Sequence, residues 1–257
     1  MNEYPVKTGK WGPFFEDVPG WSDTQINAIT YAQFLMNHPE LDPEWKEHVR
    51  SILDWAYKNL GNDTWAKYGV TAINEQTFYK VPGNSHTSRQ ACAELQYAAL
   101  TGDNSRVEGA IRQLNWATYM VSDQGWNRYP QDDIWITDGY GDYVRHYLRA
   151  MAANPELAPA ESHILSSTSG LKTVDYYNGK DCYNINYVAA DPKGKEVIRL
   201  KCRPASVTVE KGSYKSDIPE GQNDTEGDYW QWFDCKNGGY IVLNRKFATN
   251  IEIFGSF

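Results

Sequence analysis

YPQDDIWITDGYGDYVRHYLRAM, residues 129–151, changes character halfway along. Pro130 and the adjacent Asp132 and Asp133 interrupt both helical and strand patterns, so the first half is irregular. The second half reads as a helix. Tyr140, Tyr143, Val144, Tyr147, Leu148 and Met151 recur at three- and four-residue steps and form one apolar face. Asp142 and His146 stand four apart on another face, beside Arg145 and Arg149. Asp138 is placed to cap the helix start, and Gly139 and Gly141 let the backbone approach a neighbour closely. Two readings follow: an amphipathic helix with a solvated charged face, or a polar, aromatic-walled site at a helix entrance. The helical period then stops at Asn154-Pro155, and NPELAPAES, residues 154–162, is a linker. The fold turns on that stop: everything before it repeats helically, and everything after it alternates.

Upstream, residues 1–21 form an irregular, aromatic leader expected to pack on the body. Ser22-Asp23-Thr24-Gln25 reads as a capping box, opening a first helix that runs to about Asn37 with Ile26, Ile29, Phe34 and Leu35 inward. Asp42-Pro43-Glu44 opens a second, whose stripe is Val49, Ile52, Leu53, Ala56 and Leu60, closed by Gly61. Residues 62–84 are a long connection, too aromatic for disorder, and are expected to cover or line something. A third helix starts near Ser85, with His86, Arg89, Gln90, Ala93 and Tyr97 on one face and Cys92, Leu95, Ala98 and Ala99 toward another. A fourth spans about 105–120 along Val107, Ile111, Leu114, Ala117 and Val121. Helices one and two, then three and four, make two helical hairpins, and residues 140–151 make the fifth helix.

Downstream, residues 171–177, 182–189, 196–202, 205–210, 229–235, 240–244 and 250–254 alternate as strands. Asn178-Gly179, Asp191-Pro192-Lys193-Gly194 and Asn237-Gly238-Gly239 are turn signals between them. This pattern predicts an antiparallel β-sandwich over 163–257, after a helical domain over 1–162. Residues 211–227 are expected to be a loop. Trp230 and Trp232 share a strand face, as core or as a sugar platform, with core preferred.

Composition narrows the function classes. The net charge is −8 with no basic block, so the electrostatic footprint of nucleic-acid binding is missing. No apolar run approaches the ~20 residues of a membrane span. The N-terminus MNEYPVKTGKWGPFF has no apolar signal core, which fits a cytoplasmic protein or one whose signal was removed. Cys92, Cys182, Cys202 and Cys235 show no C-x-x-C spacing, leaving one bridge in the strand-rich part or buried thiols. There is no H-x-x-x-H, H-E-x-x-H, P-loop or G-x-S-x-G string, and the aspartates lack EF-hand spacing, so no metal or cofactor is expected. Ten Trp and eighteen Tyr are many, and aromatics at that level build bulky cores or flat platforms for sugar rings.

WGPFFEDVPGWSDTQ, INEQTFYKVPGNSHTSRQ and WITDGYGDYVRHYLRAMAANPELAP carry a resemblance over most of residues 11–160. Helical hairpins joined by long aromatic loops, then a β-sandwich, resemble the (α/α)-toroid enzymes of carbohydrate metabolism, the six-hairpin glycosidases and toroid polysaccharide lyases. A full toroid has twelve helices where five are read here, so the chain is expected to be an open array or the C-terminal part of a larger toroid. The resemblance implies a partner that is an oligo- or polysaccharide, and a periplasmic or secreted location if a signal was removed.

Two mechanisms follow from that resemblance. Inverting hydrolysis needs two carboxyls ~6.5–9.5 Å apart to leave room for a water. Glu75 and one of Asp132, Asp133 and Asp138 would supply them. β-Elimination on a uronate needs a base for the C5 proton, and donors that neutralise the carboxylate. Asn84, His86 and Arg89 with Tyr140 or Tyr143 would supply that set. Glu75, His86, Asp138 and Tyr140 are therefore the candidate catalytic residues. Asn84, Arg89, Trp126, Asp132, Asp133, Trp135, Tyr143 and Arg145 are the candidate substrate-binding ones. The plainer alternatives are a locally bonded His86, a loop-holding Glu75 and capping aspartates. A non-catalytic carbohydrate-binding or scaffolding protein is the competing class.

Overall fold

The computed structural model describes residues 24–78, 80–119, 121, 123–124, 140–211, 214–221 and 226–257, with the side chains of 140–142 and 211 left aside. The chain divides into two compact units between Ala153 and Asn154, so the linker groups with the part that follows it. Helices fill the first unit and antiparallel sheets the second.

The helical unit contains α1 (Gln25–Asn37), α2 (Trp45–Leu60), α3 (Asn84–Thr101), α4 (Val107–Tyr119) and α5 (Tyr140–Ala153). α1 packs on α2 and α3 on α4, as sequential hairpins, and α3 touches all four of the others. The stripe expected on α2 is the one buried: Val49, Ile52, Leu53, Ala56 and Leu60. It meets Ala28, Ile29, Ala32, Leu35 and Met36 of α1 in one apolar cluster. α1 begins later than its capping-box signal, with Thr24 at the N-cap and no side-chain cap bond. Gln25 is therefore the first helical residue, and its side chain turns to another task described below. α4 buries Ala110, Gln113, Leu114, Trp116 and Ala117, a face rotated from the expected stripe, because Trp116 rather than Ile111 is drawn inward.

α3 is the unusual helix. Every residue from Asn84 to Leu95 is buried, although its sequence NSHTSRQACAEL is mostly polar. A helix buried on all sides is normally apolar all round. Here several of its polar groups bond neighbouring elements, since a buried polar group without a hydrogen bond costs free energy. At its C-terminal half, Glu94 accepts from Arg50 of α2 at 2.7 Å and from Gln90 at 3.3 Å.

The long connection is not structureless. It forms a short antiparallel pair, β1 (Gly61–Asn62) with β2 (Ala72–Ile73), around a 3-10 turn at Asp63–Tyr68. It then folds over the starts of α1 and α3. The backbone N–H of Gln25 donates to Glu75 O at 3.0 Å, and that of Glu75 to Val81 O at 2.9 Å. Thr87 Oγ1 of α3 accepts from the N–H of Ile73 at 2.9 Å.

The second unit holds β3 (His163–Ser167), β4 (Leu171–Asn178), β5 (Cys182–Ala189), β6 (Gly194–Leu200), β7 (Ser206–Lys211), β8 (Tyr214–Asp217), β9 (Tyr229–Cys235), β10 (Gly238–Arg245) and β11 (Asn250–Ser256). One sheet runs β3-β6-β10-β9 and the other β4-β5-β11-β7-β8, every pairing antiparallel. Alternate residues of both sheets enter one core: Ile198, Leu200, Ile241 and Leu243 from the first, Ile185, Val207, Ile251 and Ile253 from the second. Trp230 joins that core, its indole N–H donating to Ile218 O at 2.9 Å. β3 and β8, absent from the sequence reading, are edge strands. Edges are kept polar, and HILSS and YKSD lack the apolar alternation that marks inner strands.

Arg245 and Glu196 form a fully buried pair at 2.7 Å, and Glu196 also accepts from Ser167 and Tyr187. All four cysteines are free thiols. Among the described residues, no helix is long and apolar enough to cross a membrane.

Candidate functional site

The polar half of α3 builds the site. Asn84, His86 and Arg89 occupy its first two turns, and all three are buried. Gly83 precedes them in extended backbone as the N-cap, and it offers no side chain to the first N–H groups. The positive end of the helix dipole therefore stands at this spot and favours negative charge.

Two neighbouring elements hold Arg89 in place. Its Nε donates to His146 Nε2 of α5 at 3.1 Å, and its Nη1 donates to Gln25 Oε1 of α1 at 3.1 Å. Arginine only donates, so His146 Nε2 is the acceptor in this contact. Gln25 and Asn84 are buried as well. Among the described residues, neither Gln25 Nε2 nor Asn84 Nδ2 has a hydrogen-bond partner. Arg89 is thus a buried guanidinium bonded to one imidazole and one carboxamide, on a helix whose first turn also carries buried Asn84 and His86. Such a group of donors suits a ligand that carries negative charge and oxygen acceptors.

Glu75 lies half-buried in the connection, with its backbone tied to the start of α1 and to Val81. Tyr143 takes a core role: it packs with Val70, Ala72, Trp116 and Ala117, and its hydroxyl lies 2.6 Å from Thr118 Oγ1. Arg145 is on the exposed side of α5. Asp132, Asp133, Asp138, Trp126 and Trp135 lie outside the described residues, as does the side chain of Tyr140.

Gln25 and His146 are the site residues that sequence reasoning missed. From sequence, His146 fits either a solvated charged face or a polar site at the helix entrance, with Leu148 among the inner residues. Instead Tyr143, His146 and Ala150 are buried and Leu148 is exposed. The signal available was the three-residue step from Tyr143 to His146, which puts the imidazole over the inward tyrosine. Among the described residues, no group of three or more His, Cys, Asp or Glu is arranged to hold a metal ion.

No model of a known protein family matches this chain. No curated protein matches it either.

Proposed function

We propose that this chain is a carbohydrate-cleaving enzyme, acting on an acidic poly- or oligosaccharide by β-elimination at the start of α3. The observation that carries this reading is Arg89, a buried cation oriented by Gln25 and His146 beside buried Asn84 and His86. In the proposed reaction, Arg89 and Asn84 meet the carboxylate of a uronate. Neutralising that group acidifies the proton on C5 and stabilises the enolate formed when it leaves. His86 takes the C5 proton as general base. The electron pair then forms the C4–C5 double bond as the C4–O bond breaks, and the departing oxygen takes a proton to become a hydroxyl. Tyr140 is assigned as that proton donor. On the same reading, the helical hairpins belong to an (α/α)-toroid type of array, and the two sheets are a sandwich.

A second reading, hydrolysis, draws support from Glu75. Its loop is fixed at both ends of the residue, as a general acid or base requires. Its partner would be a carboxylate from residues 132–138.

The test is incubation with polyuronates and neutral polysaccharides, following unsaturated-uronate absorbance together with reducing ends. Elimination predicts rising absorbance, a fall of about 10²–10⁴-fold in kcat for His86→Ala, and little change for Glu75→Gln. New reducing ends without absorbance, lost in Glu75→Gln, would replace it with hydrolysis. Neither signal with any substrate would leave sugar binding without cleavage.

A further inference from the structure

A cavity of about 490 Å³ opens between α4 and the 3-10 turn at Asp63–Tyr68. Its walls include four aromatic side chains, Trp65, Tyr68, Trp116 and Tyr119, and two polar ones, Arg112 and Asn115. The sequence makes this inevitable once the helix forms. Arg112, Asn115, Trp116 and Tyr119 fall at steps of three and four, on one side of α4. Trp65 sits at a kink in the 3-10 segment, and both it and Tyr68 line the cavity.

The walls are ordered. Trp65 meets Trp116 edge to face, with ring centroids 5.0 Å apart. Arg112 donates to Glu108 at 2.6 Å and to Tyr68 O at 3.3 Å, so its guanidinium is fixed and its charge is balanced. Tyr68 and Tyr119 nevertheless stay 62% and 82% exposed. Large aromatics left in water around a concave site are what ligand pockets show and what cores avoid. Trp116 is only 6% exposed, and its indole N–H has no hydrogen-bond partner among the described residues.

We propose that this cavity binds a neutral pyranose unit of a glycan chain. A pyranose has a C–H face that lies flat on an aromatic ring, and hydroxyls that both donate and accept. The exposed tyrosines offer the flat faces. Asn115 donates and accepts, and Arg112 donates. Arg112 is paired with Glu108 and the Lys67 ammonium lies 4.8 Å over the Tyr68 ring, so both cations at this rim are already engaged. None of these residues belongs to the cluster around Arg89, so the inference goes beyond the cleavage proposed above.

The test is titration of the full chain with hexamers of β-1,4-linked glucose, mannose and xylose, and with a galacturonate hexamer. Tryptophan emission and calorimetry report binding. At least one neutral hexamer is expected to bind and to perturb the emission. Tyr68→Ala and Tyr119→Ala should each weaken it about tenfold, with the melting temperature unmoved because both side chains are exposed. The proposal is overturned if no neutral hexamer binds at millimolar concentration, if both tyrosine variants bind normally, or if the galacturonate hexamer binds there equally well.

Discussion

Glu94 shows how much a single buried charge governs in this helical unit. Burial is the largest influence on its carboxyl and pushes its pKa above the ordinary value of 4.5, even though the Arg50 guanidinium pulls the other way. The charged form is thus less favoured folded than unfolded. A carboxyl raised on folding contributes stability below its unfolded pKa, and that contribution is lost as pH rises through the folded one. Glu94→Gln removes this dependence. Lowering the pH from 7 toward 4.5 is therefore expected to raise the urea midpoint of the parent relative to Glu94→Gln, measured by the helical circular dichroism signal. A difference independent of pH would show that Arg50 fully compensates the burial. Residues of this kind are hard to read from sequence. Asn84, His86 and Arg89 were picked out because they are chemically conspicuous at a helix start. Gln25 reads as part of a capping box, and His146 fits a solvated face as well as a site, since nothing in a one-dimensional pattern says that α3 is surrounded. Once α3 is buried, its guanidinium needs acceptors, and the neighbouring helices supply them.

At the scale of elements, legibility followed the cost of being wrong. α2 was read residue by residue because five apolar side chains must all face one way. β8 was missed because YKSD is exposed throughout, and an edge strand needs no inward face. The hairpin between β9 and β10 was announced by Asn237-Gly238-Gly239, although its loop residues are Lys236 and Asn237, and Gly238 already opens β10. Gly238 has φ of 92°, where a side chain strains the backbone. A Cβ there would lie 2.5 Å from the carbonyl oxygens of both Leu200 and Lys201. Gly238→Ala should therefore destabilise the β unit by at least about 1–3 kcal/mol. Gly227→Ala makes a control, because a Cβ there meets nothing within 4 Å. Equal midpoints of denaturation for the two variants would mean that the turn relaxes freely.

At the scale of the whole molecule, the two units use opposite strategies for their interiors, and this has a measurable consequence. The helical unit surrounds a polar helix, so its stability depends on pairing groups such as Arg89 with Gln25 and His146. The β unit interleaves apolar rows from two sheets, with Arg245 and Glu196 sealed between buried partners. Its core residues all lie between Ile164 and Ile253, within Asn154–Phe257. A segment with a self-contained apolar core meets the main condition for folding alone. Residues 154–257 expressed alone are expected to unfold cooperatively in urea. Ile253→Ala, which empties a fully buried position, should cost that segment about 2–5 kcal/mol. Arg245→Met should cost about 3–5 kcal/mol, because it strands Glu196 without its cation. The double variant Arg245→Met with Glu196→Leu should recover much of that loss, since no buried charge is left unpaired. If the segment melts without a transition, or if the double variant is as damaged as the single one, the β unit does not stand on its own apolar core. The pair would then be more than a charge and its neutraliser.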